Sequence, residues 1–191
     1  LFRSSAVYAL GLGKPSWPTP IADWKIVNKT EGKTWIVPKS IQAEMAREGK
    51  AVKTRVPPGP DNPLGGYWLG LSLNGYGIHG TIAPSSIYHF QSHGCIRMAP
   101  GDIDALFARV EPGLSGSNRY WPILLEIQPD GHILLEVHPD IYRRKVQGRA
   151  ALQQLADKAA ISARIDWSAA DTALKAASGA PVDITLNAAI P

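Results

Sequence analysis

The sequence predicts a mainly β fold with a few short helices and an α-helical C-terminal extension. Three observations carry this reading. The 191 residues include 18 glycines and 16 prolines, more punctuation than a helical bundle tolerates. Tyr67, Leu69, Leu71 and Leu73 alternate strictly, the period of a half-buried strand. Beyond "HPDIYRRK" the composition turns to alanine, and apolar residues recur at helical spacing. The expected division is a body over residues 1–140 and a helical extension over 141–191 packed on it.

Each element follows from its own signal. Residues 5–12, "SAVYALGL", read as a strand, and the proline-dense segment ending at Pro20 reads as a loop on a sheet edge. Residues 24–28 and 34–37 are short strand candidates. "SIQAEMARE" reads as a short helix opened by Ser40, with Ile41 and Met45 on one face. "VPPGPDNPLGG" is an irregular loop. Asn74-Gly75 turns the alternating strand into the next one, about 76–81, with His79 at its end. Ile103, Leu106, Phe107 and Val110 define an amphipathic helix with Asp102 and Asp104 in its first turn. "WPILLEI" and "HILLEV" flank Pro129-Asp130-Gly131 as a hairpin. Leu152, Leu155, Ala156 and Ala159 form one helical stripe; Trp167, Ala170, Leu174 and Ala177 form another. "VDITL" reads as a final edge strand.

Composition narrows the function classes. Apolar residues make up 45% and charged ones 19%, enough for a core and against wholesale disorder. The net charge of +4 is mildly basic, but the longest basic run, Arg143-Arg144-Lys145, is too sparse for the charged stripe of a nucleic-acid binder. No stretch approaches the ~20 apolar residues of a membrane span. The chain opens at Leu1 and reads as trimmed, so the lack of a visible export signal carries no weight.

The single cysteine, Cys95, excludes an intramolecular disulfide and sits in "SHGCIRM", a polar setting for a residue that serves elsewhere as small apolar filler. A nearby cation such as Arg97 lowers a thiol pKa and makes thiolate available near neutral pH. A sulfur nucleophile also needs a base. His93, two residues away, would reach it awkwardly; His79, delivered from a separate strand, faces it squarely and is the preferred base, with His93 shaping the site. Gly94 permits a sharp turn, and the amides of His93, Gly94 and Cys95 would then point at one oxygen. His89 reads equally as a surface residue or a substrate contact; His132 and His138 read as structural. Trp68, Tyr76 and Tyr88 are candidate cleft walls, although a core role is the commoner use of an aromatic. A zinc site drawn from His79, His89, His93 and Cys95 lacks any of the usual ligand spacings, and no cofactor is called for.

These residues resemble the signature of L,D-transpeptidases with the YkuD-type (ErfK-like) catalytic domain: His79-Gly80, a gap, then Ser92-His93-Gly94-Cys95-Ile96-Arg97. "GLGKPSWPTPIADWKI" and "PPGPDNPLGGYWLGL" are similar to other family segments, with Ala22 standing where the family has glycine. The likeness covers roughly residues 3–137. It implies a β-sandwich-like fold with the cysteine loop in a cleft, in a periplasmic or cell-envelope enzyme. Cys95 would attack the diaminopimelate carbonyl of a peptidoglycan tetrapeptide stem and release D-alanine. The thioester would pass to an amine: a second stem, a lipoprotein lysine or a D-amino acid. His79 would be base and then acid, its other ring nitrogen held by the Gly80 carbonyl, with Ser92, His93 and Arg97 lining the pocket. Arg97 reads either as a carboxylate clamp or as a brace turned away from Cys95, the second being favoured. Two rivals stand beside transfer: a hydrolase on the same scaffold, and a non-catalytic wall-binding module, which would have no use for a nucleophile.

Overall fold

A computed structural model of the chain describes residues 6–186. The chain divides into two compact units between Arg119 and Tyr120. Over the described residues it is mainly β with four α-helices. Among the described residues no helix is long and apolar enough to cross a membrane.

The first unit holds β1 (Leu10–Gly13), β2 (Asp23–Glu31), β3 (Trp35–Ile36), α1 (Lys39–Arg47), β4 (Arg55–Val56), β5 (Tyr67–Leu71), β6 (Gly77–His79), β7 (Phe90–Ser92), β8 (Ile96–Met98), α2 (Pro100–Arg109) and β9 (Ser115–Ser117). Seven strands form one mixed sheet in the order β7-β1-β8-β6-β5-β2-β9, and β3 pairs with β4. The strand expected over 5–12 starts later, at Leu10, and Ser5 lies outside the described residues.

Side chains alternate across a strand, so the short central strands have two distinct faces. Leu69 pairs with Ile78, and Ile78 with Ile96; these residues bury with Ile26, Leu71 and Met98 in one apolar cluster that also takes Ile103 of α2. Each such side chain, fully removed from water, stabilises the fold by roughly 1.5–3 kcal/mol. The opposite face carries Trp68, which pairs with His79, which in turn pairs with Arg97. That polar row is the floor of the site.

The order β7-β1-β8 has a geometric consequence. β1 is parallel to β7 and antiparallel to β8, so residues 93–95 must arch over the end of β1, across two strand spacings, or roughly 10 Å. Backbones meet closely there: a Cβ on Gly13 would lie 2.9 Å from Gly94 Cα.

Two helix ends differ from expectation. α1 begins one residue before Ser40; its N-cap position is Pro38, with no side-chain cap, because Ser40 is already inside the first turn. α2 takes Pro100 at its start and has only Asp102 in its first turn; Asp104 lies beyond it.

The second unit contains β10 (Ile123–Ile127), β11 (Ile133–Val137), α3 (Gly148–Lys158), α4 (Trp167–Ala176) and β12 (Pro181–Asp183). β10 and β11 pair as an antiparallel hairpin with β12 on its open edge. Ile133, Leu135, Leu152, Ala156, Ala170 and Ile184 form its core. The hairpin therefore shares its core with the helices, and the division falls ahead of it, not at the composition change near residue 140. Asp166 caps α4 by accepting the amides of Ser168 and Ala169.

Candidate active site

His79 ends β6 and Cys95 immediately precedes β8, its parallel neighbour. With Ile96 facing the core, Cys95 and Arg97 share the other face, the one that bears His79. All three line one cleft of about 500 Å³, together with Lys33, Trp68 and His93.

His79 is 4% exposed. Its Nδ1 lies 2.6 Å from the Gly80 carbonyl oxygen. A carbonyl only accepts, so Nδ1 carries the proton and the unprotonated nitrogen is Nε2, the tautomer a general base requires. Trp68 stacks on the imidazole with ring centroids 5.9 Å apart and an interplanar angle of 18°. The indole lies over Gly77, where a Cβ would come within 2.4 Å of it. Burial pushes the His79 pKa down to about 4, against the opposing pull of the Gly80 carbonyl; the Arg97 charge lowers it further. The ring is neutral near pH 7.

The sulfur contradicts one sequence expectation. Arg97 and the Gly77 amide both pull the Cys95 pKa down, but burial outweighs them and the net shift is upward. The thiol and the imidazole are therefore both uncharged near pH 7. Cys95 Sγ lies 3.8 Å from the Gly75 carbonyl oxygen.

The arch is held from inside. Ser92, 2% exposed, donates its hydroxyl to the Cys95 carbonyl at 2.5 Å and accepts the Gly94 amide at 3.1 Å. That amide is thus committed to the brace and is not available to an oxyanion; the Cys95 and His93 amides are the remaining candidates. Gly94 has φ +97°, and a Cβ there would sit 2.5 Å from Tyr76 Cε1. Only glycine fits both demands.

His93 is tethered through Nε2 to Glu44 Oε2 of α1 at 2.5 Å, and Lys14 Nζ meets the other carboxylate oxygen at 2.6 Å. Lys14 and His93 hold the Glu44 pKa down at about 2. Arg97, expected to turn away, instead lines the cleft beside Cys95. His89 and Tyr88 are exposed, Tyr88 with φ +67°. In the second unit His132 pairs with Asp183 and His138 with Glu136.

Comparison with known proteins gives the chain a family. Residues 3–123 match the model of the YkuD L,D-transpeptidase catalytic domain. The chain belongs to the L,D-transpeptidase family. It is similar to the probable L,D-transpeptidase ErfK/SrfK of Salmonella typhimurium, with 35% identity over 143 residues, covering 74% of this chain and 46% of that protein. The probable L,D-transpeptidase YbiS of Escherichia coli K12 is 33% identical over 184 residues, covering 92% of this chain and 60% of its own. The chain thus spans about half of the first relative and three-fifths of the second. Among solved structures, L,D-transpeptidase 3 from Mycobacterium tuberculosis gives a TM-score of 0.47 at 18% identity, covering 63% of this chain and 47% of that one.

Within this L,D-transpeptidase chain, several residues that matter escape a sequence reading. Asn62, fully buried, donates to the carbonyls of Lys33, Val56 and Pro57 and accepts the Leu64 amide, knotting the loop that walls the cleft. Its signals in the sequence are an asparagine inside a Pro/Gly run and the likeness of "PPGPDNPLGGYWLGL" to a family segment, neither of which specifies this buried network. Glu44 looks like an ordinary helix-surface acid, and Lys33 like turn punctuation.

Proposed function

We propose that the chain catalyses acyl transfer on peptidoglycan stems through a Cys95 thioester, in the cell envelope. The observation that carries this is the pairing of a buried neutral imidazole, its Nδ1 tied to Gly80, with a thiol on the adjacent parallel strand facing the same cleft. As Cys95 Sγ bonds to the diaminopimelate carbonyl carbon, its proton passes to His79 Nε2. The tetrahedral oxyanion takes donors from the arch amides of Cys95 and His93. Collapse breaks the C–N bond to the terminal D-alanine, which leaves as an amine with the proton returned by His79. An amine acceptor then attacks the thioester, gives its proton to His79, and the thiol is restored. Family membership supports this reading.

The test is direct. Incubation with a carbapenem followed by intact-mass measurement is expected to give a one-to-one adduct on wild type and none on Cys95→Ser. Digestion with tetrapeptide muropeptides, with and without an added D-amino acid, is expected to yield exchanged or cross-linked stems. A wild-type chain that stays unmodified and leaves muropeptides unchanged rejects the proposal.

A further inference from the structure

The cleft is lined by two full cations, Lys33 and Arg97, and by no aspartate or glutamate. Each lysine or arginine that meets a carboxylate elsewhere in the fold has an identifiable partner, as Lys14 has Glu44 and Lys29 has Glu111. Lys33 and Arg97 have none among the described residues. Arg97 is half-buried, and its side chain makes no hydrogen bond to the described residues, yet none of its nitrogens is sealed from solvent. A half-buried guanidinium with no hydrogen-bond partner among the described residues keeps its five donors free for a ligand, and a carboxylate is the group whose geometry matches it.

Their placement is as informative as their charge. Trp68, His79 and Arg97 stand side by side on β5, β6 and β8. Lys33 Nζ lies over the Trp68 ring, 5.3 Å from its centroid. The two cations therefore bracket the imidazole from opposite sides, across two strand spacings, or roughly 10 Å. Cys95 lies on the Arg97 side, two residues along the same strand face.

We infer that Lys33 and Arg97 form a two-point carboxylate subsite, and that the preferred acyl donor carries two carboxylates on either side of the attacked bond. The inference rests on the acyl-transfer reading and adds to it a requirement on the donor: both acidic groups must be free, one answering to each cation. In a tetrapeptide stem the terminal D-alanine carboxylate and the diaminopimelate side-chain carboxylate meet that requirement.

The test separates binding from chemistry. Equilibrium binding is measured on Cys95→Ser protein, alone and combined with Lys33→Met or Arg97→Gln. The probes are a synthetic tetrapeptide with the D-alanine and diaminopimelate side-chain carboxylates free, and the two analogues in which one of these is amidated. On the free acid each cation removal is expected to weaken binding about tenfold, the usual loss for one charge-assisted contact. Each variant is expected to become indifferent, within about twofold, to amidation of one carboxylate and to remain sensitive to the other. Lys33→Met carries the argument even if Arg97→Gln fails to fold, because the lysine ammonium rests on a ring and holds no structural hydrogen bond. Equal sensitivity of variants and parent to both amidations overturns the subsite. Failure of the wild-type protein to form a thioester on the free acid overturns the acyl-transfer reading instead, and is read by intact mass in a separate arm.

Discussion

The Ser92 hydroxyl donates to the carbonyl of Cys95 at 2.5 Å, closing a ring inside the segment that carries the only thiol. Removing it leaves that carbonyl and the Gly94 amide without partners in a buried site. Ser92→Ala is expected to lower stability by about 1–3 kcal/mol and to slow carbapenem acylation at least tenfold. Chemical denaturation and time-resolved mass measurement read the two effects. An unchanged acylation rate would show that the brace has no part in presenting the sulfur.

Gly94 is expected to tolerate no side chain. Gly94→Ala forces a non-glycine residue to φ +97° and drives its Cβ toward Tyr76. Backbone strain of this kind costs on the order of 1–3 kcal/mol. Acylation should fall below detection, and adding Tyr76→Ala should recover less than half of the lost stability, since it relieves the clash and not the dihedral. Full recovery in the double variant refutes the backbone argument.

His79 sets a pH dependence with a definite sign. Its pKa falls from 6.5 in the unfolded chain to about 4 in the fold. Between those values the unfolded state holds a proton that the folded state lacks, so stability falls as pH drops from about 6.5 to 4 and levels off below. The full effect is about 3 kcal/mol. In His79→Asn, which keeps a donor for Gly80 and does not titrate, this slope is expected to vanish. Parallel pH–stability curves for the two proteins would refute the assignment.

Glu44 links α1 to the Cys95 segment through His93. Glu44→Ala should slow acylation severalfold and alter its pH profile, because the imidazole loses the group that orients it. Glu44→Gln, which retains a hydrogen-bond acceptor, should restore most of the rate. A variant pair with identical profiles indicates that the contact is a surface pair of the kind worth little.

The core of the second unit predicts the outcome of truncation. Ending the chain at residue 140 keeps the hairpin but removes α3, α4 and β12, baring Ile133 and Leu135, which are fully buried in the intact chain. That protein is expected to aggregate, whereas one ending at residue 119 exposes no such face from this cluster. Soluble yield and light scattering distinguish them; a monodisperse 1–140 fragment contradicts the shared core.

The readable parts of the sequence were those with local signals. Leu69 and Leu71 announce β5 by alternation, Gly75 marks its turn with φ +83°, and Ile103, Leu106 and Phe107 announce α2 by helical period. Cys95 and His79 stood out because each lies in a setting that packing alone does not explain. What stayed hidden depends on distant partners. β7, β8 and β9 have three residues each, too few for any period to register. Glu44 meets His93 across 49 positions, which no local pattern encodes. The thiol pKa turned on a competition between burial and charge that needs the surrounding walls to evaluate.

The position of β1 beneath the arch carries a consequence for how activity arises during synthesis. The strand that supports residues 93–95 is made before its partners β7 and β8, which follow some eighty residues later. Contacts so far apart in sequence form late. The surroundings of Cys95 are therefore complete only once β1 has paired with both β7 and β8.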